Sequence, residues 1–141
     1  MSLLASCAPA FRPELAVDYP TNAKRIAQVD VQVYRLDTEI EVTNTSAQDL
    51  SGTRMWLNQD YSLAIAEFPI GRTLVIPLDS FHNEYGEPFR AGGFFAIDPP
   101  SNMVKAEIET PEGMIELIAI NGIVERNWMS AERRQGQQRS R

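Results

Sequence analysis

The chain has a single cysteine, Cys7, and a single histidine, His82. One cysteine excludes an intramolecular disulfide, so the fold must be held by its core. One cysteine with one histidine also falls short of a Cys/His zinc site. No apolar run approaches the roughly 18 residues that cross a bilayer as a helix. The sequence has no G-x-S-x-G elbow and no D-x-[DN]-x-[DN]-G calcium loop, and Gly71, Gly86 and Gly92-Gly93 do not build a phosphate loop. Helical periodicity is nearly missing. These absences point away from catalysis: the expected site holds no catalytic residue, no metal ligand and no cofactor. Net charge is −6, although residues 126–141 hold five arginines against one glutamate. The body is therefore acidic, which argues against a nucleic-acid partner.

What the chain does contain is alternation. At 141 residues, 43% of them hydrophobic, it can bury one real core. The stretch 71–89, GRTLVIPLDSFHNEYGEPF, organises the rest. Leu74, Ile76 and Leu78 put one apolar face on a strand over 73–78, and Pro77 places the end of that strand at a sheet edge or bulge. Gly86-Glu87-Pro88 prevents a helix beyond it. The expectation is an ordered loop over 80–90, anchored on the sheet by Phe81 and Phe89.

Other strands follow the same pattern. Val29, Val31 and Val33 alternate with polar residues; Leu36-Asp37-Thr38 is a turn; Ile40 and Val42 continue the hairpin. Residues 44–52, NTSAQDLSG, form a turn-rich loop with Leu50 as a plug at the core edge. In 53–58, Met55 and Leu57 share one face, while Trp56 shares the other with Arg54 and Asn58. Leu63 and Ile65 mark a further strand, and 94–97 a short one after Gly92-Gly93. Val104, Ala106 and Ile108, the turn Pro111-Glu112-Gly113, and 114–120 make the clearest hairpin. The expected fold is all-β: an antiparallel β-sandwich of about seven to nine strands.

The boundaries read as follows. Residues 1–6 are the end of a signal peptide or an artificial start; 7–25 are a proline-bearing tether; 26–125 are the sandwich; 126–141 are a basic tail with disordered composition. A short edge strand near 15–19 is the one element expected in the tether, which if extended would reach roughly 50 Å.

Two resemblances attach to particular residues. Glu41-Val42-Thr43-Asn44-Thr45-Ser46, Trp56-Leu57-Asn58 with Tyr61, and Ser80-Phe81 with Gly86 and Phe89 resemble small immunoglobulin-like or fibronectin type III-like modules of bacterial envelope proteins. The likeness covers residues 29–120 and lacks the immunoglobulin cysteine pair. Leu4-Ala5-Ser6-Cys7 resembles the lipobox of bacterial lipoproteins, in which the chain is cut before the cysteine and lipid is attached to it. Only six residues precede Cys7 and none is basic, whereas a full signal peptide has a basic start and an apolar run of roughly 7–15 residues, so residues 1–6 read as the end of a signal or the match is chance. The resemblance implies lipid on Cys7, a membrane partner and the bacterial envelope; Ala8 after the cysteine implies the outer membrane. Without the lipobox the expectation is a cytoplasmic protein.

Three functions are weighed. The first is a non-catalytic interaction or assembly module meeting an envelope protein or glycan. The second is a carbohydrate-binding module using Trp56, Tyr61, Tyr85 and Trp128 as an aromatic platform; packing inside the protein is the plainer role for these rings. The third is a hydrolase built on His82, which has Asp79, Asn83, Glu84 and Glu87 near it in sequence. For His82 the expectation is a solvated loop residue. Asn44-Thr45-Ser46 fits a glycosylation sequon but reads as a strand end entering a turn.

Overall fold

A computed structural model of the protein describes residues 11–94, 96 and 98–121. It is all-β, as alternation requires. Seven strands follow in order: β1 (Arg25–Leu36), β2 (Glu39–Thr43), β3 (Thr53–Leu57), β4 (Tyr61–Ile65), β5 (Thr73–Pro77), β6 (Ala106–Thr110) and β7 (Gly113–Ile120). They form one sheet in the order β4-β3-β6-β7-β1-β2-β5, curled into a half-barrel. Five of the pairings are antiparallel and β1 runs parallel to β7. The expectation is an antiparallel sandwich of two packed sheets; the strands here belong to one mixed sheet. The difference lies in β1, which spans 12 residues and pairs with β7 on one side and β2 on the other. Val33 sits opposite Val42 in one register and opposite Ala119 in the other.

The alternation predicts the faces of most strands; Val104, expected to share a face with Ala106 and Ile108, instead lies ahead of β6 at 73% exposure. Val31, Val33, Ile40, Val42, Met55, Leu57, Ile108 and Leu117 all point into one buried cluster. Leu50 plugs that core at 2% exposure. Strand β5 ends at Pro77 and pairs only with β2, so its far side is a sheet edge, where a residue without an N–H costs no ladder bond. The β6–β7 hairpin closes through two turn residues between Thr110 and Gly113, which are paired.

The 80–90 loop is anchored as expected. Phe81 and Phe89 are both fully buried, and the Phe89 amide donates to the Phe81 carbonyl at 2.8 Å. Asn83 organises the bend: its Oδ1 accepts the amides of Tyr85 (3.0 Å) and Glu87 (2.9 Å). His82 departs from expectation. It is 6% exposed, because its backbone pairs with Ser62 and carries the loop along the free edge of β4. Its Nδ1 lies 3.0 Å from the Ser80 carbonyl oxygen. The short strand expected at 94–97 does not form over its described part: Phe94 lies in a turn at 95% exposure, after two glycines with positive φ. Phe95 and Ile97 lie outside the described residues.

The tether also differs. A short 3-10 turn, Pro13–Leu15, replaces the expected edge strand, and the segment from Arg12 onward lies on the domain. Residues 12–24 form a strap across the domain surface.

Candidate functional site

The outer face of β3, β6 and β7 carries Trp56, Glu107, Glu109, Met114 and Glu116, since Trp56 pairs with Glu107, Glu107 with Glu116 and Glu109 with Met114. An outer face would normally be wet. Here Trp56 is 1% exposed and Glu107 is fully buried. The cover is the strap. The Tyr19 ring meets Trp56 edge-on with centroids 5.2 Å apart, an arrangement favoured by the ring quadrupoles. The Tyr19 hydroxyl donates to Glu107 Oε2 at 2.5 Å.

A buried carboxylate is costly unless its oxygens are filled. Glu107 Oε1 accepts from Arg25 Nη1 at 2.8 Å and Gln59 Nε2 at 3.1 Å, and Lys105 Nζ lies 3.1 Å from it. Burial pushes the Glu107 carboxyl up; the donors from Tyr19, Arg25, Gln59 and Lys105 outweigh it and hold the group below the usual carboxylate range. Burial, and then the bond to Glu107, push the Tyr19 phenol up. Arg25 also donates to the Tyr19 oxygen at 3.1 Å, closing a three-way contact. Trp56 Nε1 donates to Glu109 Oε2 at 2.8 Å, so the indole is satisfied as well.

Local conformation explains how these groups meet. Asn58 and Gln59 both have positive φ (55° and 57°), which turns the β3–β4 connection tightly. Asn tolerates that region better than most residues. The Asn58 side chain fixes the turn by accepting the Val104 amide at 2.7 Å and donating to the Asn102 carbonyl at 2.7 Å. Gln59 thereby reaches Glu107.

The four expected aromatic contacts do not form one exposed platform among the described residues. Trp56 lies under Tyr19; Tyr61 stacks edge-on against buried Phe89 at 5.0 Å; Tyr85 alone of the three is exposed, at 64%. Trp128, Cys7 and the basic tail 126–141 lie outside the described residues. Asn44 is fully buried, donating to the Phe68 carbonyl at 2.9 Å and accepting from Ser46, so its amide is committed to the turn. A recess of about 460 Å³ lies outside β1 and β2 and is lined by Asp30, Gln32, Tyr34, Glu41, Thr43 and Thr45. Among the described residues no group of three His, Cys, Asp or Glu could hold a metal ion, and no helix is long and apolar enough to cross a membrane.

Sequence reasoning missed the Tyr19–Glu107 contact, which joins residues 88 apart. The one available signal was Trp56 standing on the polar face of its strand. Comparison with family models, with curated proteins and with solved structures gives no match.

Proposed function

We propose that this protein is a non-catalytic interaction or assembly module of the bacterial envelope, anchored through lipid on Cys7 and built on an immunoglobulin-like scaffold. The motif Leu4-Ala5-Ser6-Cys7 carries the location. Strand order supports the scaffold. The first, second and fifth strands form one leaf of the sheet, and the third, sixth and seventh the other. Strands A, B, E and C, F, G divide the same way in immunoglobulin domains. Here the fourth strand joins the third instead of the first leaf, and the long β1 links the leaves through β7. Inward residues of both leaves share one core, as in a sandwich.

A binding role rather than a catalytic one is favoured by how the polar interior is used. Among the described residues every buried side-chain nitrogen and oxygen has a hydrogen-bond partner. Glu107, the buried carboxylate, has both oxygens occupied by donors of its own chain, which leaves it no role as a base. Lipid anchoring needs no membrane-spanning helix, since two acyl chains hold a protein stably. The test is to express the gene in its bacterial host and fractionate the cells. Wild type is expected in the membrane fraction and Cys7→Ser in the soluble one. A wild-type protein in the cytosol, or a Cys7→Ser protein as membrane-bound as wild type, overturns the reading.

A further inference from the structure

The strap lies on the surface of the domain. None of its residues, 12–24, is buried. Each of its two ends makes a main-chain hydrogen bond to the domain. At one end the Arg12 amide donates to the Gly86 carbonyl at 2.8 Å; at the other the Met114 amide donates to the Lys24 carbonyl at 2.7 Å. Both contacts land beside glycines. A Cβ on Gly86 would stand 2.5 Å from the Arg12 carbonyl oxygen, and one on Gly113 would overlap the Lys24 carbonyl oxygen. The sheet thus leaves backbone-sized room at each end, and backbone contacts carry no side-chain specificity. Between them, the side chain seated in the groove is Tyr19, with its ring on Trp56 and its hydroxyl on Glu107 and Arg25.

Trp56 and Met114 add to this picture. Both are almost wholly buried, at 1% exposure each, yet neither belongs to the main core cluster. Large apolar surface is therefore kept on the outer face, with Tyr19 of the strap seated on Trp56. A segment with few buried contacts opens at low free-energy cost.

We propose that the outer face of β3, β6 and β7 is a binding groove for an extended polypeptide segment presenting a tyrosine, and that residues 12–24 are its resident intramolecular occupant. A partner segment makes the same end contacts through its main chain and the same central contacts through its tyrosine. The strap competes at the millimolar effective concentration of a short flexible linkage. Apparent affinity for a partner therefore falls by the fraction of time the groove is open.

The test uses the full chain with Trp128→Phe, so that Trp56 is the one remaining tryptophan of two. Acrylamide quenching reports the cover, and anisotropy of a fluorescein-labelled peptide of residues 12–24 reports the groove. In Tyr19→Ala, Trp56 quenching is expected to rise several-fold. The peptide is expected to bind that variant about tenfold or more tightly than it binds wild type. Excess peptide should restore the shielding, and a peptide carrying alanine for tyrosine should not. Equal peptide binding by variant and wild type, or an unchanged quenching constant, overturns the proposal. So does a Tyr19→Ala chain that fails to fold, because the strap is then part of the core and not an occupant.

Discussion

On their inner face β3, β6 and β7 carry Met55, Leu57, Ala106, Ile108, Ile115 and Leu117 into the shared core; on their outer face they carry Trp56, Glu107, Glu109 and Glu116 toward the strap. The inner face is held by apolar volume, which is insensitive to pH and intolerant of lost atoms. The outer face is held by one aromatic contact, main-chain bonds at the two ends of the strap, and a set of charge-assisted hydrogen bonds, the last of which depend on protonation. The same strands thus present a permanent interface on one side and a titratable one on the other.

The largest effect should come from the inner side. Phe89→Ala removes a fully buried ring that also supports Tyr61. A loss of about 3–5 kcal/mol is expected, read as a fall in the urea midpoint at unchanged slope. Phe81→Ala should match it; unchanged midpoints in both would make the 80–90 loop peripheral. Next is Gly113→Ala, whose φ of 144° is strained for any side chain and whose Cβ meets the strap backbone. We expect about 1–3 kcal/mol from strain, together with a rise in Trp56 quenching that Phe89→Ala does not produce while folded.

Glu107→Gln comes third, at about 1–3 kcal/mol near neutral pH. Its sign with pH separates the faces. The folded Glu107 carboxyl is lowered, so its stabilisation is present above the unfolded value of about 4.3. That stabilisation is lost as pH falls through the folded value. Wild type should therefore converge on the variant in acid, whereas the gap between wild type and Phe89→Ala should stay constant. Parallel pH curves for wild type and Glu107→Gln would remove the titratable face from the account. Smallest is Tyr19→Phe, which keeps the ring on Trp56 and loses one hydroxyl, at about 0.5–1.5 kcal/mol by thermal unfolding.

The inner face was legible in the sequence and the outer face was not. A period of two marks residues that point to one side, so Val31 with Val33, Ile40 with Val42, and Met55 with Leu57 announce both strand and face. Gly86 and Pro88 announce that Phe81 and Phe89 sit on a loop. Alternation says nothing about which strand lies beside which. The parallel β1–β7 pair joins segments far apart in sequence, and its first residues, 25–28, are exposed and carry no pattern. The strap left little signal either, because its end contacts are made by the main chain and its one long-range polar side-chain contact, Tyr19 to Glu107, joins residues 88 apart. Trp56 was visible as an anomaly on a polar face, but what covered it was a tyrosine in a segment read as tether. The polar neighbours of His82 suggest a solvated residue; its burial follows from a backbone bridge to Ser62, which composition does not encode.

The docking of the strap changes the length of leash that an anchored molecule would have. The segment 7–25 reads as a long free spacer, yet the Arg12 amide is already bonded to the body of the domain. In the lipoprotein proposed here, the slack between lipid and domain shrinks to the five peptide steps from Cys7 to Arg12, at most about 17 Å. A closed strap would then keep the Tyr85–Gly86 corner near the bilayer. Releasing residues 12–24 would pay out the rest of the line and let the whole domain reach outward. One tyrosine would set both whether the groove is open and how far from the membrane it can fish.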